Sequence, residues 1–248
     1  MENLTWLEIH ALFDFLSMVA GLTIGMWFRR VCFRSFPHPV PEIYRHRYII
    51  ALLTGAVAGA YLFGTLNGML SLEHDGGLLL GKSVLGGIIG GIIGTELFKW
   101  RTGIRGSTGL VLVPSLALGI AIGRVGCFLA GLPDFTYGIP TNTFFGYDFG
   151  DGILRHPVQL YESALMLVFR IMFLVAIWRR SAFWFRNGFY LFILFYAAQR
   201  FVWEFLKPYA AVAGGLNIFQ WLAIVMGLYA FGMIVRNEQF SRWGKRID

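Results

Sequence analysis

Seven long apolar stretches, near 4–28, 48–71, 76–98, 106–131, 159–178, 188–206 and 215–235, alternate along the chain with shorter polar connections. A helix crosses the hydrocarbon of a bilayer with roughly 20 mostly apolar residues. The pattern therefore predicts an all-α polytopic membrane protein with seven transmembrane helices, built as a single transmembrane domain over 1–248. Composition decides against the alternative of a water-soluble globule: 56% of the 248 residues are hydrophobic and 14% are charged, more apolar surface than a soluble fold of this size can bury. The opening Met1-Glu2-Asn3-Leu4 lacks the basic segment of a cleaved signal peptide, so the first apolar run is expected to stay as a helix.

The net charge of +7 would suit a nucleic-acid binder, but its distribution excludes that partner. Of the 21 basic residues, fifteen fall in four alternate connections: Arg29, Arg30, Arg34, Arg45 and Arg47; Lys99, Arg101 and Arg105; Arg179, Arg180 and Arg186; and Arg236, Arg242, Lys245 and Arg246. The positive-inside rule makes that side cytoplasmic. The N-terminus then lies outside and the C-terminus inside, and the outward connections carry Glu73, Asp75, Asp134, Asp148 and Asp151. Lys82, Arg124, Arg155, Arg170, Arg200 and Lys207 are left over, and cations at membrane depth usually serve an ion, a substrate or a lipid headgroup. All except Arg170 are expected at one level near the outer leaflet, with Lys82 a turn or two inside the third helix. Arg170 falls deeper and is expected to pair with Glu96 or a backbone carbonyl.

The densest polar stretch is Arg155-His156-Pro157-Val158-Gln159-Leu160-Tyr161-Glu162. Proline suits a first helical turn and not a helix interior, so a helix should run from about Gln159, with Arg155 and His156 at its positive end. The glycines from Gly81 to Gly94 lie in an apolar run with no preceding strand; spacing of four indicates close helix packing rather than a phosphate loop. The long connection 132–158 holds Phe135, Tyr137, Phe144, Phe145 and Tyr147 and reads as an outward interfacial lid. Cys32 and Cys127 form neither a disulfide framework nor a zinc pattern, so neither metal nor cofactor is expected, and Cys127 is expected to be a small packed residue.

The same motifs resemble those of the prolipoprotein diacylglyceryl transferase family, bacterial enzymes that lipidate lipobox cysteines. Arg155 to Glu162 is similar to the segment that closes the family's signature region. Gly123-Arg124-Val125-Gly126-Cys127-Phe128 resembles its Gly-Arg-x-Gly-Asn-Phe, and Gly138-Ile139-Pro140-Thr141 its Gly-x-Pro-Thr. Tyr196, Arg200, Glu204, Lys207 and Pro208 resemble the family's motif near the sixth helix. The departures fall elsewhere. Leu85 stands where the family has a histidine before Gly-Gly, with His74 a displaced substitute; Cys127 and Ala130 replace two asparagines; Leu132 takes the place of an acidic residue, with Asp134 the nearest carboxylate; and Ala197 replaces a glycine.

The resemblance implies an enzyme of the bacterial inner membrane, its site toward the outer leaflet, that moves the diacylglyceryl group of phosphatidylglycerol to an acceptor and releases glycerol phosphate. The acceptor it implies is the lipobox cysteine of a prolipoprotein; a paralogue with another acceptor, or a headgroup-binding transporter or flippase, stays open. Arg124 and Arg200 are the candidates to neutralise the departing phosphate, since guanidinium binds it bidentately. Glu204 is expected to orient Arg200 from one turn away, Glu162 to do likewise or accept a proton, and His156 to act as base, with His74 its competitor. Lys82, Arg155, Gln159, Tyr161, Gly123, Gly126 and Tyr196 are expected to bind substrate. Without the motif, Arg200 with Glu204 reads equally as a structural ion pair, His156 as a helix cap and Tyr161 as a packing residue, and Lys207 reads better as a headgroup anchor.

Overall fold

The computed structural model describes residues 5–32, 40–71 and 81–244. His74, Glu73 and Asp75 lie outside the described residues. Among these, the chain forms seven long helices: α1 (Trp6–Cys32), α2 (Arg45–Ser71), α3 (Val84–Thr102), α4 (Val113–Ala130), α5 (Val158–Trp178), α6 (Ala182–Glu204) and α7 (Ile218–Gly244). A two-stranded antiparallel ribbon, β1 (Tyr147–Asp148) with β2 (Leu154–Arg155), interrupts the α4–α5 connection. Among the described residues, five segments are long and apolar enough to cross a membrane: Trp6–Cys32, Glu42–Leu70, Leu110–Ala130, Val158–Trp178 and Ile218–Gln239. The other two helices carry more charge along their length, Glu96, Lys99 and Arg101 on α3 and Arg186, Arg200 and Glu204 on α6. Large apolar side chains such as Phe15, Leu22, Leu62, Ile171 and Leu228 are more than half exposed, a surface suited to lipid rather than water.

Two compact units emerge. The first takes in α1, residues 109–208 and α7 from Gly227 onward. In it, α1 lies close on α4: a Cβ at Gly126 would sit 2.4 Å from the Phe13 Cβ, and Ser17 Oγ donates to the Gly119 carbonyl at 3.1 Å. Next, α4 meets α5, where Ser163 Oγ donates to the Ala121 carbonyl at 2.9 Å. Phe169 of α5 then packs against Phe192 and Phe195 of α6. At the far end of α6, Arg186 and Asn187 both bond Glu238 of α7.

The second unit contains α2, α3 and the start of α7. The glycines of α2 and α3 face one another, as the spacing of four anticipates. A Cβ on Gly90 would stand 2.1 Å from the Gly55 carbonyl oxygen, and one on Gly86 2.4 Å from that of Gly59, so only glycine permits this approach. Ser83 caps α3 by accepting the Gly86 N–H at 3.1 Å. Lys82 therefore precedes the helix instead of lying inside it, which corrects its expected depth. Asn217 and Gln220 cap α7 reciprocally, each backbone N–H reaching the other's side-chain oxygen at 2.9 Å.

Candidate active site

Pro157 directly precedes α5, and its carbonyl accepts the Leu160 N–H at 2.9 Å. This start fixes the face of α5 on which Gln159 and Glu162, three residues apart, point together. Both are buried, with Glu162 only 1% exposed. Around the Glu162 carboxylate three cations close in. Arg124, from the last two turns of α4, ion-pairs with Oε2 through its Nε. Arg200 Nη1, near the end of α6, meets Oε1 at 2.8 Å, and Lys207 Nζ, just past that end, meets it at 2.7 Å. Glu204 joins from one turn beyond Arg200, bonding Arg200 Nη2 at 2.8 Å and lying 3.5 Å from Lys207.

All five groups are buried. Among the described residues, three cations and two carboxylates make up this contact cluster, in a medium where charge is costly to bury. Beside them are polar groups with no hydrogen-bond partner among the described residues: both amide atoms of Gln159, both of Gln199, and Trp203 Nε1. Tyr196, one turn before Arg200, is buried as well.

Several candidates from the sequence fall elsewhere. Arg155 belongs to the 132–158 connection: its Nη1 binds Asp151 at 2.6 Å, and its guanidinium lies 5.2 Å from the Tyr137 ring centre. The strand pairing of Arg155 with Tyr147 holds it there. Its hydrogen bond holds the Asp151 carboxyl below the usual range and raises Arg155 in turn. His156 is half-buried, its Nδ1 3.4 Å from the Tyr161 hydroxyl, and its backbone pairs with Gly138 and Ile139. Tyr161 also packs on Trp203 at 5.3 Å between ring centres. Gly126 has its own packing reason, the contact with Phe13, and a Cβ at Gly123 would touch Ser17 of α1 at 3.7 Å; neither glycine presents backbone to the charged cluster through these contacts. Glu96 ion-pairs with Lys99 on its own helix at 2.7 Å.

Lys207 is the correction of most consequence. A headgroup anchor would reach outward, yet this lysine is 4% exposed and bonded to Glu162. Its place at Glu204 + 3 signalled the association, but only the meeting of α5 with the end of α6 shows that Glu162 shares it.

The 132–158 connection is tied to the same region. Ile139 N–H donates to the Leu206 carbonyl at 2.7 Å, next to Lys207. The Asp148 carboxylate accepts the N–H groups of Gly150, Asp151 and Gly152 at 2.8–3.1 Å. Gly150 and Gly152 have φ of 103° and 75°, which favours glycine at both. Phe144 is 96% exposed at the outer part of the loop.

Fold and site together define a helical membrane protein with a buried cluster of three cations and two carboxylates. Comparison with known proteins places it further: the prolipoprotein diacylglyceryl transferase family matches residues 8–236, and the chain belongs to that family. The phosphatidylglycerol–prolipoprotein diacylglyceryl transferase of Bordetella parapertussis is 35% identical over 167 residues, covering 61% of each chain. The protein of the same name from Geobacter sulfurreducens is 30% identical over 75% of this chain and 74% of its own. That from Ehrlichia ruminantium is 28% identical over 89% and 87%. The chain thus spans about 61% of the length of the Bordetella relative. No solved structure matches.

Proposed function

We propose that the protein transfers the diacylglyceryl group of phosphatidylglycerol to the lipobox cysteine of prolipoproteins and releases glycerol phosphate. The observation that carries this is the buried cluster in which Arg124, Arg200 and Lys207 meet on one carboxylate, Glu162. A phosphodiester entering there meets three cations able to bind its oxygens. The unpartnered amides of Gln159 and Gln199 offer donors and acceptors to the phosphate and the free glycerol hydroxyls.

Moving a diacylglyceryl group, rather than a phosphatidyl group, requires the C–O bond on the diacylglycerol side of the phosphate to break. The acceptor sulfur forms the new C–S bond, the C–O electron pair goes to phosphate, and the thiol proton goes to a base. The leaving phosphate monoester gains charge as it departs. Guanidinium groups fixed in a water-poor site stabilise that charge without reorganising. Glu162 and Glu204 hold the guanidiniums in place, and Arg124 and Arg200 are the candidate phosphate ligands with Lys207. His156, beside Tyr161 at the junction of lid and α5, is the candidate base. Lys82, Arg155, Tyr161 and Tyr196 remain candidates for lining the route to this centre.

The same reading takes all seven helices as spans, with the N-terminus outside, the C-terminus cytoplasmic, and the charged centre toward the outer leaflet of a bacterial inner membrane. The 132–158 loop, with its exposed Phe144 and Phe145, acts as the lid on that side. The test incubates the purified protein with labelled phosphatidylglycerol and a lipobox peptide. The expected products are glycerol phosphate and a peptide heavier by one diacylglyceryl group. Lipid consumed without a modified peptide would assign a different acceptor, and no consumption under conditions where the Geobacter relative turns over would overturn the transferase.

A further inference from the structure

A second group of chemically reactive side chains lies in the first unit, and the reaction above assigns none of them a role. His10 of α1, Cys127 in the last turn of α4 and Asp134 in the tight turn 132–134 each offer one donor atom, and these atoms all lie within 4.8 Å of one another. We propose that His10, Cys127 and Asp134 bind a zinc-class divalent cation that clamps the outer part of α1 to the end of α4 and the start of the lid.

The donor set is the first argument. One imidazole nitrogen, one sulfur and one carboxylate oxygen are the ligand types that suit zinc and its borderline-soft neighbours, not calcium or magnesium. The second is how the three are held. His10 Nε2 already meets Asp134 Oδ1 at 2.7 Å. Thr136 Oγ1 donates to the other oxygen, Oδ2, which orients the carboxylate as outer hydrogen bonds do around metal ligands. The close Gly126–Phe13 contact pins α1 to α4 next to Cys127, and Trp6 packs edge-on against the His10 ring at 6.0 Å. Gly131, which ends α4 with φ of 73°, turns the chain so that Asp134 comes back beside Cys127.

Access is the third argument. The group is open on the side of His10, whose side chain is 25% exposed against 9% for Asp134, so a cation would enter from there. Tetrahedral bonds of about 2.0–2.1 Å to nitrogen and oxygen and about 2.3 Å to sulfur set donors roughly 3.3–3.7 Å apart. The His10–Asp134 pair must therefore open by about half an ångström and the thiol move in by up to about 1 Å, within the reach of small side-chain rotations. Three protein ligands leave a fourth position for water. Sequence reading missed the group because His10 is remote from the other two and no ligand spacing marks it.

The experiment uses the full chain in detergent, with any affinity tag removed and metal stripped by chelator, titrated with Co2+. One Co2+ per chain is expected, with a near-ultraviolet thiolate-to-cobalt band that Zn2+ abolishes by displacement. Cys127→Ser should lose the band and Cys32→Ser keep it, while His10→Asn and Asp134→Asn should weaken Co2+ binding at least tenfold. A second measurement needs no variant: stoichiometric Zn2+ should slow alkylation of Cys127, followed by mass spectrometry, at least tenfold. The absence of a band, its persistence in Cys127→Ser, unchanged affinity in His10→Asn, or unchanged alkylation would each reduce the three residues to a hydrogen-bonded trio and overturn the proposal. Loss of transferase activity on its own bears on the charged centre around Glu162 and leaves this site standing.

Discussion

Replacing Glu162 by glutamine removes the carboxylate that Arg124, Arg200 and Lys207 share while keeping its shape. Of the ion pairs described among these groups, those of Glu204 with Arg200 and Lys207 would then remain, and Arg124 would lose its own. Breaking a buried ion pair by removing one partner typically costs about 3–5 kcal/mol, because the other charge stays buried and unpaired. For a chain of this size each kcal/mol moves the unfolding midpoint by about 2–4 °C, so Glu162→Gln should lower Tm by roughly 6–20 °C in detergent. The double variant Glu162→Gln with Lys207→Met should recover part of that loss, since it removes one of the stranded cations; a double-mutant cycle reads the coupling directly. Thermal unfolding followed by circular dichroism or by intrinsic tryptophan fluorescence measures both. A drop below about 3 °C for the single variant, or a double variant no better than the single, would refute the view that this carboxylate holds the cluster together.

Arg124→Ala and Arg200→Ala should each lower glycerol phosphate release by about 10²–10³-fold, the usual loss when a donor to a developing anion is removed, and Arg200→Lys should stay poor for want of the bidentate fork; near-normal release in the alanine variants would remove them from the phosphate site. Gln159→Leu deletes a buried amide with no partner among the described residues, so it should leave Tm unchanged or raised while raising KM for phosphatidylglycerol, and an unchanged KM would free Gln159 from substrate contact. Gly90→Ala sets a Cβ against the backbone oxygen of Gly55 at 2.1 Å, so it should destabilise α2–α3 packing by at least about 1–3 kcal/mol, read as a lower Tm than Gly232→Ala, where a Cβ meets nothing within 4 Å. The Asp151–Arg155 pair depresses the Asp151 carboxyl, so its contribution to lid order is complete above the ordinary aspartate range and lost as pH falls through the lowered folded value; hydrogen exchange across 141–156 should speed up only in that acid window, and Asp151→Asn should remove the pH dependence.

Much of this architecture was readable from composition because burying backbone polar groups in lipid leaves helices as the obvious solution for long apolar runs. All seven helices fall on the expected runs. Their starts were less legible: the third begins at Val84 because Ser83 caps it, and the fourth at Val113 because a tight turn occupies Leu110–Leu112. Arg124, Glu162, Arg200 and Glu204 stood out by motif, and the structure sets them in contact. Periodicity could not show that Glu162 is their hub, since that depends on the faces α4, α5 and α6 turn toward each other. Arg155 illustrates the opposite failure. Depth and motif together grouped it with the other cations, whereas Asp151, four residues earlier in the chain, pairs with it locally.

The position of the charged centre also has an electrostatic logic. Glu162 lies one turn inside the N-terminal end of α5, and Arg200 and Lys207 lie at the C-terminal end of α6, each sign where the helix macrodipole favours it. Glu204 is the exception, an acid on the last residue of α6, and its bonds to Arg200 and Lys207 offset the unfavourable dipole. Even so, well-packed apolar residues of similar volume usually match or exceed the stability of a buried ionic group. A centre that keeps three cations for two carboxylates is therefore poorly explained by folding alone. On the proposed function, a phosphodiester entering beside these cations would bring negative charge to them, and the phosphate monoester that leaves would bring more. Stability and activity should then separate along this cluster: variants that neutralise a cation together with its carboxylate become more robust and less active, and those that strand a cation lose both.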